Sequence, residues 1–432
     1  MLIYITSMFF AFILIASIFL FYKKMKQLKK NIFLGKAETL NDEPLKRFTN
    51  VIILALGQKK MFRNPLVAFL HLFIYVGFIL INIEIIEIVI DGLFGTHRIL
   101  LNYISPNLYR IFIDFFEVLA VCVIIACCIF FFRRKVFPVA RLNHPDLKGF
   151  PIKDGVIILI FEIVLMLLFL TMNATDSILF KEKLDGTFIF SQYLIPLFSF
   201  SNQTLIEIIN HSAWWLHIIG IFVFLNYVPY SKHLHIILAF PNAYFAPLDK
   251  HQNIKNMPQI QQEVLYSLKP ELAPTNPVEQ IQKFGAKDVT DLSWKNLLDA
   301  YSCTECGRCT ASCPAHITGK LLSPRKIMMA TRDRADELGY FLKQNPQQQH
   351  DQKQLLGEYI TPEELRACTT CNACVTECPV SISPLSIIIE LRRALIMEDS
   401  NAPKEWNAMF SNIENNFSPW KISSLDRTNW IK

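Results

Sequence analysis

Five apolar stretches decide what this chain can become. They lie at about residues 2–22, 66–90, 112–132, 154–173 and 212–230. Crossing a bilayer as a helix takes roughly 20 apolar residues, and each stretch is long enough. Residues 249–432 read differently, being polar, rich in Gln and Lys, and carrying most of the prolines. The reading is therefore all-α in two halves. Residues 1–240 form a five-helix transmembrane bundle and 241–290 a linker. Residues 291–400 form a water-soluble helical domain, and 401–432 a tail whose Trp406, Trp420 and Trp430 could dock a partner.

Basic residues between the spans set the orientation, because short cytoplasmic loops collect them. The loop 23–64 holds eleven Lys and Arg and 133–153 holds six, whereas 91–111 has only Arg98 and Arg110, and 174–211 only Lys181 and Lys183. The N-terminus is expected outside and the C-terminal half in the cytoplasm, in a prokaryotic cytoplasmic membrane. A signal peptide would place basic residues ahead of its apolar run. Here Lys23, Lys24 and Lys26 follow it, so residues 2–22 read as a span. The stretch 188–200 is apolar but short and contains Pro196, which suggests a segment at the outer surface. A formal charge of +6 suits a basic inner face and does not call for nucleic acid.

Eight of the eleven cysteines fall in two copies of one pattern, CTECGRCTASCP at 303–314 and CTTCNACVTECP at 368–379. Three cysteines at this spacing can hold one corner of an iron–sulfur cube. In two-cluster ferredoxins the fourth, which precedes Pro, ligates the other cube. Cys303, Cys306, Cys309 and Cys378 are thus expected at one [4Fe-4S] cluster, and Cys368, Cys371, Cys374 and Cys313 at the second. Structural zinc would use paired C-x2-C, and disulfides would need an oxidising compartment. The 65-residue offset between motifs reads as helix. Ser323-Pro324 and Thr361-Pro362-Glu363-Glu364 are helix starts, and 384–398 has helical periodicity. Cys122, Cys127 and Cys128 lie inside the third span and read as packing.

Ionisable residues inside a bilayer are costly and by default mark function. His217 and His235 stand 18 residues apart, about 27 Å and five turns on a continuous helix, so one face would carry both. His233 and His211 would lie off that face. The second span supplies His71 at the depth of His235. Two imidazoles on neighbouring helices suit axial ligation of a haem, here one b-type haem near the cytoplasm. The alternative is that each histidine caps a helix end or bonds a carbonyl. A second haem at His217 lacks a partner, since the outer half of the second span offers Asn82, Glu84 and Glu87, with His97 just beyond. Lys59, Lys60 and Arg63 read as positive-inside residues that could also meet haem propionates. His144, His251, His316 and His350 read as solvated.

The run HIIGIFVFLNYVPYSKHLHIILAFP resembles the fifth helix of the cytochrome b subunit of respiratory nitrate reductase, including the tail YVPYSKHLHIILAFP from Tyr227 to Pro241. By that resemblance His217 and His235 are haem ligands and His71 is the inner-haem ligand, while the outer ligand of the second helix falls on Ile81. The cysteine-bearing half is similar to the iron–sulfur subunits of heterodisulfide reductases and to the C subunit of anaerobic glycerol-3-phosphate dehydrogenase. The resemblance implies a cytochrome b-like bundle joined to a helical ferredoxin. Relatives often contain a Cys-Cys-Gly domain. This sequence has no such motif, so that domain is expected on another polypeptide.

No nucleophile or acid–base pair stands out in the soluble half, and no catalytic residue is assigned. The expected role is electron transport within an oxidoreductase complex: a membrane subunit relaying electrons between a soluble partner and the quinone pool. The competing readings are a haem-free membrane-anchored ferredoxin and a membrane redox sensor.

Overall fold

The computed structural model describes residues 2–431 except 41, 185, 199, 249–253 and 275–282, so the expectation for His251 lies outside the described residues. Among them there is no β-strand, only isolated bridges of Lys36 with Ser293 and Leu356 with Ile360. The chain is all-α.

The five apolar stretches form α1 (Leu2–Ile32), α2 (Pro65–Phe94), α3 (Pro106–Lys135), α4 (Phe150–Leu179) and α5 (Gln203–Tyr227). Each gives a helix long and apolar enough to cross a membrane. The side chains of Asn64, Ser105 and Asn202 accept from the first free amides of α2, α3 and α5, satisfying donors that the helix leaves open. Proline opens α2 and α3, and Gly95 closes α2 at φ 67°, a left-handed position that costs glycine nothing. The helices close a ring in which α1 packs on α2 and α5, α3 packs between α2 and α4, and α4 packs on α5. A Cβ on Gly92 would stand 2.6 Å from the Phe10 ring, so glycine sets the approach of α1 to α2. Phe9, Phe12, Ile15 and Phe19 of α1 remain exposed, an apolar exterior suited to lipid.

α1 does not stop where its apolar run ends. It continues through the lysines to Ile32, and Leu28 and Ile32 are buried in one core with Leu297 and Leu338 of the cysteine-bearing half. Asn31 donates to Asp336 Oδ1 at 2.9 Å and to the Tyr301 hydroxyl at 3.2 Å. The segment expected as a loop after residue 22 is thus partly a helix that joins the halves.

The single helix expected from His217 to His235 is two. α5 ends at Tyr227, Pro229 follows, and Ser231 is extended (φ −109°, ψ 157°) between two short 3-10 turns. The chain restarts at His235 as α6 (His235–Tyr244). Proline cannot donate to a continuing helix, and Ser231 caps the new turn by accepting from the His233 amide at 3.0 Å.

The second half is built on α7 (Trp294–Tyr301), α8 (Pro324–Gln344) and α9 (Pro384–Arg393), with α10 (Lys404–Asn416) in the tail. Ser323 and Pro324 open α8, and the Thr361–Glu364 capping box opens a short helix, Pro362–Arg366, running toward Cys368. Leu297, Ile327, Leu338, Ile387 and Leu391 form the core. Ala286, Val289 and Leu292 are buried in it as well, so packed structure begins before residue 291. Among the described residues of the apolar stretch 188–200 there are short turns, Ser191–Tyr193 and Ile195–Phe198, and no spanning helix.

Candidate functional site

The two cysteine motifs share a backbone. Glu305 and Thr370, which precede the second cysteine of each, have φ of 52° and 54°; Gly307 and Asn372, which follow it, have φ of 72° and 64°. Glycine and asparagine are the residues that tolerate this region best. A Cβ on Gly307 would also stand 2.6 Å from Arg325 Nη1. Each loop then enters a short helix, Arg308–Ala311 or Ala373–Glu377.

All eleven cysteines are free thiols. Burial pushes the Cys303 thiol up to about 12, with Cys306 and Cys378 adding to the effect. Cys309 is raised by burial and by Cys303, Cys306 and Cys378, with Cys374 a lesser neighbour. Burial likewise pushes Cys374 to about 12, helped by Cys368, Cys313 and Cys371. The thiols therefore gather as 303, 306, 309 and 378, and as 368, 371, 374 and 313, each motif lending its fourth cysteine to the other group. A thiol this reluctant to ionise becomes a thiolate when a metal takes the place of its proton. Among the described residues no three His, Cys, Asp or Glu side chains converge as a single bound ion requires.

The groups differ in setting. Cys371 is exposed, so the second group reaches the surface. The first faces the bundle. Arg141, in the α3–α4 loop, donates to the Cys306 carbonyl at 2.6 Å, and Arg308 donates to the Lys60 carbonyl at 3.2 Å. Arg325 donates to the Arg141 carbonyl at 2.6 Å and pairs with Asp146 at 3.1 Å. Lys232 and Arg332 each pair with Glu305 at 2.8 Å.

A cavity of about 400 Å³ runs from Cys306, Thr304 and Pro379 into the bundle. His71 of α2 and His235 of α6 both line it, their ring centroids 6.5 Å apart and their planes inclined by 36°. An imidazole nitrogen bonds a metal at about 2 Å, and its ring centre lies about 1 Å further back, so imidazoles on opposite sides of one ion have centroids about 6 Å apart. Both Nδ1 atoms are engaged. His71 Nδ1 donates to Gln58 Oε1 at 3.0 Å, and His235 Nδ1 donates to the Lys232 carbonyl at 2.8 Å. Such bonds fix the tautomer and leave Nε2 as the ligating nitrogen. Gln58 sits at φ 47°, a strained position of the kind found at ligand clamps. Phe78, Phe130, Ile158 and Leu159 supply apolar walls, and Arg133, Arg134, Arg141 and Arg308 the charge. The pair fits a metal held between two imidazoles, and the basic rim fits carboxylates on such a group.

Several expectations change here. His233, expected off the ligand face, lines the same cavity with its ring 5.5 Å from His235, because the chain has turned at Ser231. Lys59, Lys60 and Arg63 are not among the cavity's lining residues; Arg63 pairs with Glu377. His144 is not simply solvated: it pairs with Asp146 at 3.1 Å and packs on the His316 ring at 5.0 Å. His350 is exposed as expected. The roles of Gln58 and Arg141 were not legible, since each acts through tertiary proximity, and that of Lys232 depends on the turn at Ser231 and on its distant pairing with Glu305.

His217 lies elsewhere. It is buried in the far half of the bundle, its Nδ1 donating to the Leu165 carbonyl at 3.0 Å and its ring near Phe169. His97, just beyond the second span, is held by Asp176 at 3.1 Å. Ile81 is buried, and the far half is filled by a polar network instead. Arg98 donates to Asp176 at 2.7 Å, Asn173 at 2.6 Å and the Tyr109 hydroxyl at 2.8 Å; Tyr109 donates to Glu87 at 2.8 Å, and Asn173 to Glu117 at 3.0 Å.

Residues 302–382 match the model of the 4Fe-4S dicluster domain, a segment holding all eight motif cysteines. The probable iron-sulfur-binding oxidoreductase FadF of Bacillus subtilis is 28% identical over 96% of this chain and 59% of its own length. The EtfAB:quinone oxidoreductase of Syntrophomonas wolfei is 26% identical over 90% of this chain and 54% of its own. The probable membrane-anchored ferredoxin of Chromohalobacter salexigens is 30% identical over 34% of this chain and 24% of its own. The chain thus spans little more than half the length of the first two relatives. No solved structure is significantly similar to it.

Proposed function

We propose that this chain is a membrane electron-transfer subunit of an oxidoreductase, joining a soluble partner to the quinone pool through two [4Fe-4S] clusters and one b-type haem. The match of residues 302–382 to the 4Fe-4S dicluster domain supports the clusters, and a relative over most of the chain is a probable iron-sulfur-binding oxidoreductase. One observation supports the finer reading: His71 and His235 face each other at 6.5 Å in a cavity whose other end is Cys306. His71 and His235 would hold the haem iron, with Arg133, Arg134 and Arg141 beside its propionates. Cys303, Cys306, Cys309 and Cys378 would bind the cluster nearest the membrane. Cys368, Cys371, Cys374 and Cys313 would bind the one whose exposed edge meets the partner. A bound haem supplies a one-electron carrier tuned by its axial ligands. The protein's share is to fix both imidazoles, shield them with apolar walls and hold the cluster loop against them.

His217 has no facing imidazole in this reading, and one haem is proposed. The soluble partner in this reading is an oxidoreductase unit carrying Cys-Cys-Gly domains. The iron–sulfur end faces the cytoplasm, as the basic loops suggest. The test is rapid mixing of the reduced full-length protein with a quinone analogue. The proposal expects a b-type absorbance that reoxidises together with the clusters. Clusters that reoxidise with no b-type band present would leave the haem-free ferredoxin reading.

A further inference from the structure

The turn that leads into α2 touches the histidine pair and the first group of cysteines together. Gln58 accepts from His71 Nδ1, and Arg63 pairs with Glu377, the residue before Cys378. Between them, the Lys60 carbonyl accepts at 3.2 Å from Arg308, the residue before Cys309. Lys60 is thus pinned where the two motifs meet. Its neighbour Lys59 is exposed, as suits a basic residue at the inner face of a membrane, whereas Lys60 is half-buried. Among the described residues the Lys60 ammonium makes no hydrogen bond and no ion pair.

A cation drawn partly out of water needs a counter-charge. The group that answers to it here is Cys378. Burial pushes that thiol up to about 12, helped by Cys306, while the Val380 and Ile382 amides and the Lys60 ammonium pull the other way. In turn, burial holds Lys60 below its ordinary value, and Cys378 is the foremost group opposing that. Glu377 opposes it too, but is already held by Arg63. The second group has a different cation. Arg392 stands beside Cys368 and donates to the carbonyls of Leu365, Arg366 and Cys368. At the membrane-side group, the cation has a cysteine where an ion-pair partner would be.

We propose that Lys60 is the counter-charge of the cluster held by Cys303, Cys306, Cys309 and Cys378, and that it raises the reduction potential of that cluster. The proposal rests on the two-cluster reading above. Four cysteines bind iron as thiolates, so the site becomes negative on assembly. An electron arriving from the second cluster adds one more negative charge and forms or breaks no bond. A fixed cation beside the site therefore stabilises the reduced state more than the oxidised one, and it is screened less in a half-buried place than in water. Net charge is one of the terms that set the potential of an iron–sulfur cluster. Lys60 thus makes the membrane-side cluster the better acceptor, and it biases transfer from the exposed cluster toward the cavity of His71 and His235.

The test is a potentiometric titration of the full-length protein followed by electron paramagnetic resonance. Cys313→Ala and Cys378→Ala, each of which removes a ligand from one cluster, assign the two signals. Lys60→Met should make reduction of the first cluster about tenfold less favourable, about 59 mV lower for one electron. The midpoint of the second cluster and the b-type absorbance should stay as they are, and Lys60→Arg should keep most of the parent midpoint. An unchanged first midpoint in Lys60→Met, or equal shifts in both clusters, would overturn the proposal. Should Lys60→Met lose the cluster, Lys60→Gln, neutral but still polar, supplies the same comparison. Loss of the cluster from both neutral variants would make Lys60 structural and overturn the proposal as well. A parent protein that binds no cluster would instead remove the relay reading.

Discussion

Lys232 ties the second histidine to the first cysteine motif. Its carbonyl accepts from His235 Nδ1 at 2.8 Å, and its ammonium pairs at 2.8 Å with Glu305, the residue before Cys306. Both charged side chains are nearly buried. Removing one member of a buried pair costs about 3–5 kcal/mol. Lys232→Met should fall near the lower end, about 3 kcal/mol, because Arg332 still pairs with Glu305. Thermal unfolding of the purified protein reads this, and Lys232→Arg should recover most of the loss.

The exchange of fourth cysteines between motifs makes a matching prediction. Cys313→Ala and Cys368→Ala should leave the same single cluster and give superimposable electron paramagnetic resonance spectra on reduction. Cys378→Ala and Cys303→Ala should match each other and differ from the first two. A Cys313→Ala spectrum that matches Cys303→Ala would reverse the assignment.

Arg334 is fully buried in α8, paired with Asp288 at 2.7 Å and with Asp351 at 2.6 Å. Arg334→Met should destabilise the iron–sulfur half by about 3–5 kcal/mol. The hydrogen bond from Arg334 holds the Asp351 carboxyl below its ordinary value. A lowered folded pKa gives stability that is complete above the unfolded value of about 3.9 and is lost as pH falls through the folded one. The difference in Tm between the parent and Asp351→Asn should therefore be constant across neutral pH and narrow only below about pH 4. A difference that shrinks between neutrality and mild acid would contradict the pairing.

In the far half of the bundle, Arg98 is the buried cation that meets Asp176, Asn173 and Tyr109. Its backbone sits in the left-handed region at φ 49°. Arg98→Gln should cost about 3–5 kcal/mol, seen as a lower melting temperature in detergent. The b-type absorbance of the surviving protein should be unchanged, because the network lies apart from the histidine pair.

Much of this was legible in the sequence because it is local. The spans follow from apolar length, the helix starts at Ser323 and Thr361 from their side chains, and the cysteine motifs from fixed spacing. What was hidden depends on tertiary packing. Periodicity carried the fifth helix past Pro229 to His235, whereas the chain breaks at Ser231 and brings His233 into the cavity. Lysines after residue 22 marked a membrane boundary, but lysine is a good helix former, and Leu28 and Ile32 found a core to enter. Gln58, 13 residues before His71, has no motif at all, and Lys232 stood in the quoted tail with no role assigned to it. They matter because folding sets an acceptor beside each imidazole.

The most direct measurement is a pyridine haemochrome assay on the full-length protein and on His71→Ala and His235→Ala, with iron and sulfide determined on the same samples. The account predicts a b-type spectrum in the parent that either substitution abolishes, while both clusters remain. A parent without haem, or variants that keep the b-type spectrum, would contradict it.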